Sequence, residues 1–389
     1  MKAEFEKAKS KVQARNNATQ IIATLGPATS TYETLKAIYE AGADTFRLNF
    51  SHGTQEEHAK SIALIRQLEK DIGAPIGILA DMQGPKLRIG SFKDNMKVPL
   101  TPGQKIRFDL DPTPGDETRV AFPHPDILAA LEPGAKFLMD DGNVAMKIAA
   151  KGDGFVVAEV VYGAELSGKK GVNVPDLARH VDALTAKDKS DLEFALSHGV
   201  DWIAQSFVQD ASDIKEAKAL INGRAKLIAK MEKPAAVTNM KEIIAEVDAI
   251  MVARGDLGVE IPLTQVPGVQ AALIEEAIRQ KKPVVVATQM FDSMRENPRP
   301  TRAEVSDVNL AVLQGASGVM LSGETSIGKY PVKAVETMDE TVTEAERGAH
   351  HSRATMKNPP LAPPFEARPT LSDNPTPAAV NPPPRRYGS

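Results

Sequence analysis

Two segments of this chain carry residue types that would hold an anion and a metal side by side: LIAKMEKP at residues 227–234 and IMVARGDLG at residues 250–258. Each is an apolar run that ends in charge. Strand side chains alternate with period two, so Lys230 and Glu232 share one face, as do Arg254 and Asp256 if the strand geometry persists. Two cations then stand beside two carboxylates. Hard divalent cations take oxygen ligands, and the two cationic side chains would neutralise the charge left on a bound, phosphorylated substrate. Either segment alone is ambiguous, because a lone strand-end Lys or Asp is more often a solvated cap or a surface ion pair.

The elements that must position these groups follow from the apolar runs at residues 21–24, 45–48, 76–80, 202–205, 226–229, 249–253, 284–287 and 318–321. Between them, residues 31–40, 55–71, 186–197, 211–221, 268–280 and 301–313 show helical periodicity. Eight β/α units in series predict an α/β fold, the (β/α)8 TIM barrel, with its chemistry at the carboxyl ends of the strands. From about Pro85 to Pro175 the texture changes to short alternating runs with Gly and Pro turns, such as KVPLTPGQKIRFDL. This predicts a small all-β domain inserted after the third strand, placed to act as a lid that excludes water. The expected domains are a discontinuous barrel at residues 1–84 and 176–348, the insert at 85–175, and a tail at 349–389. Ten of the 26 residues from Pro359 to Pro384 are proline, so the tail is expected to be disordered and without chemistry.

Composition narrows the function classes. A net charge of −4 over 389 residues argues against nucleic acid or an anionic membrane as the main partner. The absence of cysteine removes disulfides, thiolate metal sites and cysteine nucleophiles. The first residues lack the apolar core of a signal peptide, and no stretch approaches ~20 uncharged apolar residues, so the expected setting is the cytoplasm.

The predicted strand ends carry a series of polar groups. The first ends in ATLGPATS, and the second in Arg47, Asn49 and Ser51 followed by His52. The third gives Asp81 and Met82, then Lys86 and Arg88. Ser206 follows the fourth, Lys230 and Glu232 the fifth, Asp256 the sixth, Thr288 the seventh, and Ser322 with Glu324 the eighth. A closed barrel would bring all of them to one rim.

TQIIATLGPAT, FRLNFSHG, GPKLR, LMDDG, GKKGVNVP, KMEKP, IMVARGDLGVE, KPVVVATQM, PTRAEVSDV and VMLSGET, in that order, resemble the pyruvate kinase family from about Thr19 to Pro331. The resemblance implies phosphoryl transfer from phosphoenolpyruvate to ADP, giving pyruvate and ATP in the last step of glycolysis. It implies that Glu232 and Asp256 ligate Mg2+ or Mn2+, an incomplete shell that substrate and water would finish. Lys230 would face the migrating phosphoryl group, and Arg47 would add a second cation. The backbone of Gly255 and Asp256 would hold the substrate carboxylate. Thr288 would lie near the enolate, and Ser322 with Glu324 would organise water for its protonation. Asn49, His52, Arg88 and either Lys169 or Lys170 match positions that meet the nucleotide. Asn49, Ser51, Asp81 and the Met82 carbonyl match a monovalent-cation site of the kind that holds K+.

Some residues depart from the family pattern. The third strand continues as ADMQGPKLRIG, whereas potassium-dependent members resemble DTKGPEIRTG. Lys86 therefore stands where they carry a carboxylate, and its ammonium would supply the charge that potassium otherwise brings, which predicts potassium independence. Met231 and Ala235, in KMEKPAAV, also depart without touching a ligand. Members usually continue into a further α/β domain that binds effectors and forms one interface. The folded pattern here stops near Arg347, so the expectations are no sugar-phosphate activation and a homo-oligomer smaller than a tetramer, a dimer. The alternatives are a metal-dependent aldolase or lyase, which would form an enolate on a related barrel without this insert, and an inactive truncated form.

Overall fold

The structure, a computed structural model, describes residues 17–175 and 182–352. Strands β1 (Gln20–Thr24), β2 (Thr45–Asn49), β3 (Gly77–Asp81), β4 (Trp202–Gln205), β5 (Lys226–Lys230), β6 (Ala249–Ala253), β7 (Val284–Ala287) and β8 (Gly318–Leu321) close into a barrel in chain order, β8 returning to β1. All the pairings are parallel, with Ile22 opposite Thr45, Thr45 opposite Gly77 and Gln20 opposite Gly318. The eight expected strands and the barrel they imply are thus present.

Strands covered on both faces read as short apolar runs, and the period of two then sorts their side chains. Ile21, Phe46, Leu48, Leu227, Ala229, Ile250 and Val252 face outward into the layer shared with the helices. Ile22, Leu79, Trp202, Ile228, Met251, Val285 and Met320 fill the lumen. Moving two residues further toward the carboxyl ends, the lumen-facing positions become Thr24, Asp81 and Lys230, and on β2 Arg47 stands opposite Thr24 and Leu79. The barrel is therefore apolar at depth and charged at its mouth.

The outer ring includes α1 (Tyr32–Ala41), α2 (Gln55–Ile72), α3 (Ala186–Ser197), α4 (Ala211–Ile221), α5 (Arg254–Glu260), α6 (Val266–Arg279), α7 (Arg302–Gln314) and α8 (Pro331–Ser352). Thr54, Thr185, Asp210 and Thr301 cap α2, α3, α4 and α7 in reciprocal capping boxes, and Thr31 caps α1. Each cap satisfies backbone N–H groups that a helix cannot pair internally. Helix α8 runs to Ser352, past the boundary expected at residue 348. The remainder of the proline-rich tail, residues 353–389, lies outside the described residues, as do 176–181.

The insert between β3 and β4 forms a seven-stranded sheet in the order Leu87–Arg88, Gly171–Asn173, Lys136–Met139, Val144–Gly152, Phe155–Tyr162, Lys105–Asp109, Arg119–Ala121. It has its own core, where Phe137 packs edge-on against Phe108 and Phe122 at ring distances of 4.9 and 5.4 Å. A short helix, Pro125–Ala130, joins the strands; proline in its first turn suits a position whose N–H would be unpaired anyway. The first and last strands of the insert pair with each other, Gly171 opposite Arg88, so both connections to the barrel leave side by side. At this neck Gly84 has φ +71°, and a Cβ there would lie 2.5 Å from the Phe207 ring; any side chain would force the ring to move.

Candidate active site

Arg47, on β2, and Asp81, on β3, face each other across adjacent lumen positions. Arg47 donates from Nε to Asp81 Oδ2 at 2.7 Å and from Nη1 to Thr24 Oγ1 at 3.0 Å, while Thr24 donates to the Leu321 carbonyl at 2.7 Å. The guanidinium is thereby fixed by three strands. Lys230 Nζ donates to Ser206 Oγ at 2.7 Å, which in turn donates to the Met82 carbonyl at 2.7 Å. The same ammonium lies 3.5 Å from Asp81 Oδ1 and 3.2 Å from Glu232 Oε2. Burial alone would lower the Lys230 ammonium, but Asp81, Glu232 and Asp256 hold it above its ordinary value. Burial would likewise raise the Asp81 carboxyl; Lys230 and Arg47 hold it below the usual carboxylate range.

Glu232 is 1% exposed. Its Oε1 accepts the Phe207 N–H at 2.7 Å, and its Oε2 is buried without a hydrogen-bond partner. Burial pushes this carboxyl up to about 7 against the pull of Lys230, and the negative charge of Asp256 adds to the rise. A buried carboxylate whose second oxygen accepts no hydrogen bond and has only the Lys230 ammonium beside it, repelled by a second carboxylate, is an arrangement a divalent cation would relieve. Among the described residues no three His, Asp or Glu side chains gather into a metal site. A cation held by Glu232 and Asp256 would therefore complete its shell from substrate and water, as Mg2+ commonly does.

One expectation is corrected. The strand geometry does not persist through residues 254–256: the chain turns into α5 at Arg254, and Arg254 leaves the carboxylates. Its guanidinium pairs instead with Asp307 at 2.6 Å and donates to the Thr288 carbonyl at 2.8 Å. The cation that joins Lys230 at Asp81 is Arg47, from β2. Gly255 and Asp256 form the first turn of α5, and the Gly255 N–H donates to Thr288 Oγ1 at 2.7 Å. The Thr288 hydroxyl donates to the Ala287 carbonyl at 2.6 Å.

At the end of β8, Glu324 is buried and accepts the Phe291 and Ser322 N–H groups at 3.0 and 2.8 Å. Burial raises its carboxyl, and the buried Ser322 Oγ has no hydrogen-bond partner. Burial, and then the charges of Arg88, Lys86 and Arg47, lower the His52 imidazole. Asn49 Oδ1 accepts the Ser51 N–H at 3.1 Å. Lys170 pairs with Asp140 at 2.5 Å, joining GKKGVNVP to LMDDG. Lys169 is exposed with φ +62°, and its carbonyl accepts Arg88 Nη1 at 3.0 Å.

Sequence reasoning gave no role to Thr24, Ser206 or Asp307. Thr24 and Ser206 were detectable as lumen-facing positions at strand ends, where a hydroxyl must find a polar partner. Asp307 was not, because its partner comes from a distant turn.

Residues 16–335 match the family described as pyruvate kinase, barrel domain. The chain is 49% identical over 359 residues to a pyruvate kinase of Methylorubrum extorquens, covering 92% of this chain and 74% of that protein. It is 49% identical over 333 residues to a pyruvate kinase of Agrobacterium vitis, covering 85% and 70%, and 46% identical over 331 residues to one of Corynebacterium glutamicum, covering 84% and 70%.

Proposed function

The chain belongs to the pyruvate kinase family, and on that premise we propose that it transfers the phosphoryl group of phosphoenolpyruvate to ADP, with Mg2+, to give pyruvate and ATP. It is a phosphotransferase of a glycolytic family, and a cytoplasmic setting belongs to the same reading. The observation that carries the proposal is the pairing of Lys230 with Glu232, whose buried Oε2 accepts no hydrogen bond. Bound by Glu232 and Asp256, Mg2+ would neutralise charge on the substrate's carboxylate and phosphate oxygens.

The remaining work falls to this chain's side chains. A loose phosphoryl-transfer transition state spreads charge over its equatorial oxygens, where the fixed ammonium of Lys230 acts without reorganising. Arg47, locked by Asp81 and Thr24, presents a rigid fork to the same phosphate. The first turn of α5, at Gly255 and Asp256, holds the substrate carboxylate beside Thr288. The Thr288 hydroxyl donates to the Ala287 carbonyl and accepts the Gly255 N–H, so to bind and orient the enolate it would turn its single proton from that carbonyl to the substrate oxygen, while water held by Ser322 and Glu324 delivers the proton to carbon. Asn49, His52, Arg88 and Lys170 receive the nucleotide, and the insert serves as the lid that excludes water. Lys86 supplies the positive charge of a monovalent cation, which makes turnover independent of potassium.

A lactate dehydrogenase-coupled assay with phosphoenolpyruvate, ADP and Mg2+ tests the reaction. Pyruvate formation is expected and EDTA should abolish it; a folded, Mg2+-supplied sample that makes no pyruvate removes the reading. Glu232→Gln should lower kcat at least ~100-fold while the thermal transition stays in place, because a ligand is lost but the packing is not. Undiminished turnover would refute Glu232 as a ligand.

A further inference from the structure

Arg254 is a mostly buried cation that the reaction does not use, and it sits behind a residue that the reaction does use. The β7 ladder ends at Ala287, which pairs with Ala253 and Met320. The next two residues, Thr288 and Gln289, both have positive φ, +70° and +52°. For a β-branched residue such as Thr288 this conformation is an outlier, and it persists only where the surroundings over-determine it. Arg254 supplies the restraint. Its Nη2 donates to the Thr288 carbonyl at 2.8 Å and its Nε to the Ala287 carbonyl at 3.3 Å, the latter an acceptor it shares with the Thr288 hydroxyl.

The guanidinium is itself oriented from a third element. Asp307, on α7, pairs with Nη1 at 2.6 Å, and Gln270, on α6, accepts from the same nitrogen at 3.4 Å. The Arg254 side chain is 11% exposed and that of Asp307 33%, and the guanidinium meets the strand end on its carbonyls. Thr288, held in this way, accepts the Gly255 N–H at 2.7 Å through its hydroxyl. The orientation of the hydroxyl therefore depends on the carbonyls behind it.

We propose that Arg254, fixed by Asp307, is a positioning residue that holds Thr288 in its left-handed conformation so that the hydroxyl meets the substrate at the first turn of α5. The proposal rests on the reading that Thr288 contacts the enolate. Arg254 acts through Thr288 and touches no reacting atom.

A double-mutant cycle separates this role from general stabilisation. Arg254→Met should lower kcat at least ~30-fold, since a displacement of ~1 Å in a reacting group costs on the order of 100-fold. In a Thr288→Ala background the same change should lower kcat less than ~3-fold, because the group being positioned is gone. Equal factors in both backgrounds would show a role independent of Thr288 and overturn the proposal. Asp307→Asn, outside the site, should act in the same direction by about 5-fold and covers the case in which Arg254→Met does not fold. Arg254→Lys should recover part of the loss, because one ammonium cannot reach both carbonyls and Asp307.

A readout independent of turnover keeps failure of the pyruvate kinase reading distinct. In a crystal structure of Arg254→Met or Asp307→Asn, Thr288 should leave positive φ, and its Oγ1 should lie beyond ~3.5 Å from Gly255 N, out of hydrogen-bond range. Retention of both features overturns the positioning role whatever the chain catalyses. If the unaltered chain makes no pyruvate while Thr288 still shifts in the variants, the assigned reaction fails and the conformational claim stands.

Discussion

Lys86 is the residue on which the proposed independence from potassium rests. It lies at the neck, with its charge felt at His52 together with those of Arg88 and Arg47, and its Cε passes within 3.1 Å of where a Cβ on Gly171 would stand. A monovalent cation near this point would add one positive charge beside the phosphates, and an ammonium at the same place adds the same charge without a binding equilibrium. Turnover in tetramethylammonium buffer should therefore be within about 2-fold with and without KCl; a tenfold loss without potassium corresponds to ~1.4 kcal/mol of missing stabilisation and would sink the idea. Individual site residues were legible to the extent that strand alternation fixes a face. Lys230, Glu232, Arg47 and Asp81 all fall on the lumen side as the period of two requires. Their partners were not legible, because Arg47 to Asp81 and Lys230 to Ser206 are contacts between strands that only barrel closure brings together.

The strands and the longer helices were readable because each is bounded by local chemistry. Residues 186–197 and 211–221 match α3 and α4, where capping boxes mark the start. The sequence was ambiguous where glycine permits two continuations, and RGDLG turned into helix at Arg254 where strand alternation had been extended. The helix Pro125–Ala130 and the two short helices between β5 and β6, Pro234–Thr238 and Met240–Glu246, are too brief for periodicity to register. Helix α7 shows how far a local cap can reach. Glu304 accepts the Thr301 N–H at 2.7 Å and also the Ser293 N–H at 2.8 Å, so the first turn of α7 is tied to the segment that follows Thr288. Thr301→Ala should cost about 1 kcal/mol of stability, the usual worth of an N-cap, read as a lower urea midpoint with an unchanged slope. A loss below ~0.3 kcal/mol would mean that Glu304 holds this turn without the threonine.

At the scale of the whole molecule, the insert and the barrel meet where two candidate metal ligands are anchored. Glu260 closes α5, whose first turn contains Asp256, and its side chain is 2% exposed. It accepts Asn173 Nδ2 from the last strand of the insert at 2.7 Å and Lys233 Nζ, the neighbour of Glu232, at 2.7 Å. One buried carboxylate thus links the insert to both segments that carry Glu232 and Asp256. Beside it lies a cavity of about 110 Å³, lined in part by Leu87, Val172, Phe207 and Pro234. Asn173→Ala removes the insert's share of the link but leaves Glu260 paired with Lys233, so the stability loss should stay near 1.5–3 kcal/mol, the range for a hydrogen bond to a charged group. If the link sets where Arg88 and Lys170 stand over the barrel mouth, the apparent KM for ADP should rise about 5-fold, equivalent to ~1 kcal/mol of binding, while the KM for phosphoenolpyruvate, bound by barrel residues, stays within about 2-fold. Equal rises for both substrates would instead mean that the substitution disturbs Asp256 through α5, and the coupling would then run from the insert to the metal ligands.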